Sequence, residues 1–337
     1  MPRLRYALVF VSLLYLSSST PGLAQKGDRV FDQTYAFSPG DMLSIATSSS
    51  DIILRAGGNE ARVEVYGRGR EVAEGFRRLN FSVERDGGVL IIKTERDNDG
   101  WFQSNRAQFD IVVTAPERLD LNIATSSGDI AFRRVEGTGE IATSSGDVEF
   151  DTHVGDLSVA SSSGDVEANR VEGTFSFSTS SGDLSVDEVT GSSVTFASSS
   201  GDLDVDTIDT KHFEARTSSG DISIDMLSGD AEIGTSSGDV DLDEIVGALS
   251  VSTSSGGVQA DLGTSARVEI STGSGEVSLH APSSLAADVD IHGGAVRLNG
   301  FALEGTVARR SIEGRIGGGG ELLKVSTGSG RVSLSAR

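Results

Sequence analysis

The chain has 337 residues, 42 of them Gly and only 5 Pro, with 37% apolar and 6% aromatic residues and a formal net charge of −22. So few large apolar side chains exclude a thick globular core, and the apolar share excludes a disordered chain, so a thin core repeated many times fits both. The absence of cysteine excludes a disulfide framework, thiolate metal sites and a lipidated cysteine, and the acidic balance disfavours nucleic acid and anionic lipid as partners.

At the N-terminus Arg3 and Arg5 precede an apolar run, ALVFVSLLYL, and small polar residues ending at Gly22-Leu23-Ala24. This reads as a secretory signal peptide over residues 1–24, cut before Gln25. The run is too short to span a bilayer, and no second run of spanning length follows, so the sequence predicts export without membrane insertion. The expected location is the periplasm, the cell surface or the extracellular space.

Residues 25–118 form the next unit, a β-rich cap that already starts the repeat. Strand chemistry is clear in VFDQTYAF, MLSIAT, DIILRA, ARVEVYG, LNFSVER, GVLIIKTE and AQFDIVVTAP, with one short helix around residues 70–78. Thr47-Ser48-Ser49-Ser50-Asp51 is a variant of the motif that dominates the rest of the chain. Between two strands lies DNDGWF, which carries the sole tryptophan, Trp101, followed by Phe102. These two are either a contact loop for a glycan or protein, or hairpin aromatics folded back on the sheet.

From residue 119 to 337 a five-residue motif, TSSGD, recurs about every 18 residues. Its glycines are Gly128, Gly146, Gly164, Gly182, Gly201, Gly220 and Gly238, each followed by an aspartate: Asp129, Asp147, Asp165, Asp183, Asp202, Asp221 and Asp239. Copies continue at Gly256 and Gly275 and degenerate at Gly294, Gly314 and Gly330, so residues 119–262 are regular and 263–337 are not. Apolar residues stand two and four places after the glycine, as in Ile130/Phe132 and Val148/Phe150, and alternate again before it, as in Leu157/Val159. Alternation at period two gives each strand one inward face.

The predicted fold is therefore all-β: a parallel β-solenoid (β-helix) with coils of about 18 residues, preceded by an irregular β-rich N-terminal capping region. The inward parity shifts across the motif, which requires a bend there, and glycine provides the structural corner. Stacking at about 4.8 Å makes ladders of each motif residue and a rod of roughly 60 Å. The C-terminal sequence VSTGSGRVSLSAR looks like another repeat and shows no cap.

Charge follows the same division. Residues 119–262 contain 28 Asp/Glu against 5 Lys/Arg, whereas the flanking parts are nearly balanced. Neighbouring carboxylates about 5 Å apart repel by somewhat under 1 kcal/mol per pair in water, so an aspartate ladder is tolerable and cations relieve it. Two readings of Asp129 to Asp239 follow: a solvated acidic face, or a calcium array. The calcium β-roll uses a nonapeptide with paired glycines, which this repeat lacks.

Catalytic signals are missing. His153, His212, His280 and His292 have no metal-ligand spacing and read as stray loop residues. No G-x-S-x-G elbow occurs, and Gly137-Thr138-Gly139 leads into a strand, which disqualifies it as a dinucleotide loop. The carboxylates repeat on every coil, whereas an active site breaks its pattern locally. No enzyme, cofactor or metal is expected.

The TSSGD corners, the opening around Phe37–Ile52 and the segment VVTAPERLDLNIATSSGDI resemble the bacterial putative-adhesin family of β-strand repeats, the auto-transporter-adhesin/head-GIN-like β-solenoids. The resemblance covers nearly all of the mature chain. It implies a cell-envelope β-solenoid with an adhesin-like role and contributes no catalytic residues. The leading expectation is an exported, non-enzymatic, multivalent binding or scaffolding surface that meets an envelope protein or glycan, or itself. A periplasmic scaffold or sensor component and a carbohydrate-active β-helix acting through acids such as Asp202, Asp204 and Asp206 are the alternatives.

Overall fold

The computed structural model describes residues 27–95, 107–264 and 267–337. The expected signal peptide, residues 1–24, and the contact candidates Trp101 and Phe102 lie outside them. The described residues form 28 strands in one continuous sheet system and a single helix, Val72–Arg78.

Each regular coil is a short strand, a TSSGD corner and a longer strand. The short strands Asp120–Ala124, Gly139–Ala142, Leu157–Ala160 and Phe175–Ser178 stack in parallel on one face. The longer strands Ile130–Glu136, Val148–Val154 and Val166–Glu172 stack in parallel on the other. In mid-rod, Leu184–Ala197, Leu203–Arg216 and Ile222–Thr235 run without a break from the long face of one coil to the short face of the next. Identical motif positions stay in register, so each inward residue meets its own equivalent: Val148 pairs with Ile130 and with Val166. Phe132 and Phe150 stack face to face with centroids 4.7 Å apart, the spacing of neighbouring strands. The core is one continuous thread of buried residues from Phe37 to Leu334.

The long strands bend a second time, which the sequence reading did not show. Between Phe132 and Val135, Arg133 and Arg134 are both exposed, and Asn169 and Arg170 repeat this two coils on. Two successive outward residues break the alternation and turn the strand at every rung.

Both ends of the rod depart from sequence order. Coil 42–56 is not outermost: its strands Met42–Ala46 and Asp51–Ala56 pair on one side with Asp120–Ala124 and Ile130–Glu136, and on the other with Val89–Lys93 and Gln108–Ala115. The antiparallel strands Glu60–Arg68, Asp28–Ala36 and Ser82–Asp86 then close that end. At the other end, the last strands in sequence, Glu321–Thr327 and Arg331–Ala336, stack on Val268–Thr272 and Val277–Ala281. Strands Ala287–His292 and Ala295–Asn299 lie outside them, topped by the antiparallel pair Leu303–Val307 and Ser311–Ile316. The repeats at Gly294 and Gly314 are therefore not successive rungs, and Gly330 stacks directly on Gly275. The rod has a C-terminal cap after all, made by an excursion of the chain before its final coil.

Candidate functional site

The TSSGD corner resolves into a hydrogen-bond scheme in which each letter has a task. The first hydroxyl accepts from the glycine N–H three residues on, at 3.0 Å for Thr125–Gly128 and 2.9 Å for Thr143–Gly146. The third residue donates its N–H to the second residue of the preceding coil, as Ser145 does to the Ser126 carbonyl at 3.0 Å. The glycine lies against the glycine of the coil before. A Cβ on Gly182 would stand 2.1 Å from the Gly164 carbonyl oxygen, and one on Gly238 would stand 1.8 Å from that of Gly220. The motif glycines have ordinary φ values, so close approach of neighbouring coils, and not backbone freedom, selects them. A second glycine ladder, missed in the sequence, runs through Gly155, Gly173 and Gly247 at the opposite turn, where φ is positive and the preceding carbonyl is again about 2 Å from a Cβ position.

The motif aspartates are structural acceptors. Oδ1 of Asp129, Asp147, Asp165, Asp183, Asp202, Asp221 and Asp239 each accepts the backbone N–H of the corresponding residue one coil on, at 2.7–3.1 Å. Each carboxylate thus carries the ladder across the corner where backbone pairing lapses. This gives the recurring aspartate a task within the fold that neither sequence reading supplied.

A different row of acids has no such task. Five residues after successive motif glycines stand Asp187, Asp206, Asp225, Asp243 and Asp261, a regularity that counting from the glycine reveals. The flanking register pairs Val186 with Val205 and Glu188 with Thr207, so Asp187 stands directly beside Asp206. Asp204 and Asp241 flank this row on the same outward face. Partial burial first, and then the neighbours Asp187 and Asp204, raise the Asp206 carboxyl above the ordinary range. Burial followed by Asp206 and Asp243 does the same to Asp225. Burial is again the leading cause at Asp241, with Asp243 adding to it and a hydrogen bond from Gln259 opposing it. The stripe ends where its last member finds partners: Asp261 Oδ1 is 2.9 Å from His280 Nδ1, and its Oδ2 is 3.1 Å from Arg337 Nη1. Asp204 and Asp206 belong to this stripe, whereas Asp202 belongs to the corner ladder.

None of the four histidines is a loop residue: His212, His280 and His292 stand on strands with outward side chains, and the fourth strand histidine, His153, points inward. It occupies the inward position filled by Val135 and Val171 in adjacent coils and is fully buried. Room for the ring comes from Gly139, which stands in register with Leu121 and Leu157 and whose absent Cβ would lie 3.1 Å from the imidazole. Neither ring nitrogen has a hydrogen-bond partner. Burial pushes the imidazole below its ordinary value despite the nearby backbone of Asp156 and Gly137.

The geometry of stacked coils agrees with the comparison to known proteins. The family described as Toastrack DUF4097 matches residues 41–174 and 172–335, nearly the whole chain. The protein belongs to that family. Its two matched segments divide the rod within the stack, at the coil 157–172. Among solved structures, a protein from Parabacteroides distasonis described as a putative lipid binding protein is 19% identical, with a TM-score of 0.45 over 76% of this chain and 94% of that one. A putative adhesin from the same species is 12% identical, TM-score 0.36, over 93% and 98%. One from Parabacteroides merdae is 10% identical, TM-score 0.38, over 90% and 95%. Among curated proteins none matches the chain. No helix among the described residues is long and apolar enough to cross a membrane.

Proposed function

We propose that this Toastrack protein is an exported, non-enzymatic, adhesin-like rod whose acidic stripe is a multivalent docking surface for a cationic partner of the cell envelope or surface, a protein or an amine-bearing glycan. The observation that carries the reading is the row Asp187, Asp206, Asp225 and Asp243: aspartates stacked rung upon rung, with aspartates as the charged groups acting on Asp206 and Asp225. Such a row is unfavourable for the free rod and is relieved when cations spaced at the strand repeat settle on it. Each rung contributes weakly, and a partner that engages several gains by effective concentration. The site-breaking irregularity expected of a catalytic centre is lacking along the stripe, which favours binding over turnover.

The test compares two variants of equal charge. In one, Asp187, Asp206, Asp225 and Asp243 become Asn; in the other, corner residues Asp147, Asp165, Asp183 and Asp202 become Asn, which keeps the Oδ1 acceptor. Oligolysines of increasing length are titrated against each. Affinity that rises steeply with length in wild type and in the corner variant, and falls at least tenfold in the stripe variant, supports the proposal. Equal losses in the two variants reduce the effect to net charge and refute it. Protease treatment of intact cells tests the location: cleavage before the envelope is breached places the stripe outside, and protection until then places it in the periplasm.

A further inference from the structure

The C-terminal cap carries a cluster of another kind. Asp290 and His292 are two residues apart on Ala287–His292 and so share a face. Glu313, on Ser311–Ile316, is the direct antiparallel partner of Asp290. Two carboxylates facing each other across an antiparallel pair destabilise it unless something neutralises them. Lys324, the register partner of Asp290 on its other side, places its ammonium 2.8 Å from Glu269. His292 Nε2 is 2.8 Å from Asp290 Oδ1 and 3.9 Å from Glu313 Oε1. One ligand atom from each of the three lies within 4.8 Å of the others.

The Asp290 oxygen is the informative atom. It is closed off from solvent yet lacks a hydrogen-bond partner, although an imidazole nitrogen stands beside it. Two ligand atoms 2.8 Å apart subtend about 90° at an ion about 2.0 Å from each, a normal angle between adjacent ligands of a transition metal. Glu313 is exposed and supplies the third ligand by rotating its side chain. One imidazole with two carboxylates suits zinc and its first-row neighbours better than calcium, which takes oxygen alone.

We propose that Asp290, His292 and Glu313 bind one divalent transition-metal ion, which clips the antiparallel strand Ser311–Ile316 to Ala287–His292 and locks the C-terminal cap. The site is separate from the acidic stripe and independent of its proposed role.

The full mature chain, stripped with chelator and dialysed, is titrated with zinc by calorimetry and melted with and without the ion. Expected are one saturable site per chain, a higher melting temperature with zinc, and no such shift with calcium. His292→Gln and Glu313→Gln each lower zinc affinity at least tenfold, while His280→Gln, which alters the Asp261 pair, keeps it. Both test residues are exposed, and melts in chelator equal to wild type show that the variants fold. Absence of saturable binding, binding retained in both variants, or binding lost only in His280→Gln overturns the proposal.

Discussion

At the scale of the residue, the corner glycine gives the sharpest prediction. If backbone freedom were its task, Gly182→Ala would cost little, since φ is ordinary there. Because a Cβ would stand 2.1 Å from the Gly164 carbonyl oxygen, even Ala must push two coils apart. Gly182→Ala is expected to cost roughly 3 kcal/mol or more, and Gly182→Val more still, read as the loss of stability in urea melts. The neighbouring residues grade the scheme. Thr179→Val removes the acceptor for the Gly182 N–H, which it now holds at 2.9 Å, and is expected to cost about 1 kcal/mol. Asp183→Asn retains an Oδ1 acceptor for the Asp202 N–H and is expected to leave the melt unchanged, whereas Asp183→Ala lowers it. A drop for Asn equal to that for Ala would show that charge, and not acceptance, matters at the corner.

At the scale of the element, His153 and Gly139 form a compensating pair across the two faces of one coil. The ring fills the volume that Leu121 and Leu157 fill in the adjacent rungs, and burial depresses its proton affinity. The unfolded chain takes up a proton near the ordinary value of 6.5, and the folded chain resists it. Unfolding therefore binds a proton below that pH, so the full stability is present above about 6.5 and is lost as the pH falls further. The raised carboxyls of the stripe act in the opposite sense: the folded state holds their protons more tightly, so acid relieves their repulsion. The expected outcome is a difference measurement: between pH 7 and pH 5 the melting temperature of wild type falls relative to that of His153→Leu. Parallel curves for the two proteins would mean that the folded imidazole takes up its proton over the same pH range as the unfolded one.

At the scale of the whole molecule, the problem is how a stack of identical rungs stops. Parallel strands leave unpaired backbone groups at both ends, and such edges recruit further strands. Here the chain overshoots, builds irregular antiparallel strands and returns to lay a regular coil beneath them. Replacing residues 284–318 by a short glycine turn would leave 268–281 and 321–336 stacked but uncover the latter. The expected result is end-to-end association, seen as dimers or longer species by light scattering, where the intact protein shows none at equal concentration. Raising the salt concentration should also raise the melting temperature of wild type more than that of the fourfold stripe variant, because the corner aspartates are common to both and only wild type has the charged stripe to screen.

The sequence by itself determined the parallel β-solenoid, its rung length, the inward residues and the helix near residues 70–78. Each of these is local and all but the helix are repeated, and a period of 18 written many times leaves one way to bury a thin core. Tertiary structure decided what depends on contact between rungs. Gly128 is required because the Ser50 carbonyl passes 1.9 Å from where its Cβ would be, and Asp129 because the N–H of Asp147 needs an acceptor. Nothing within one repeat reveals either neighbour. The same holds for the order of the terminal coils: Gly330 reads as the rung after Gly314, yet packs on Gly275, because the exposed edge of a finished coil is satisfied by whichever strand returns to it. His153, unremarkable in sequence, is buried because the space it fills belongs to a glycine fourteen residues earlier, on the opposite face of the coil.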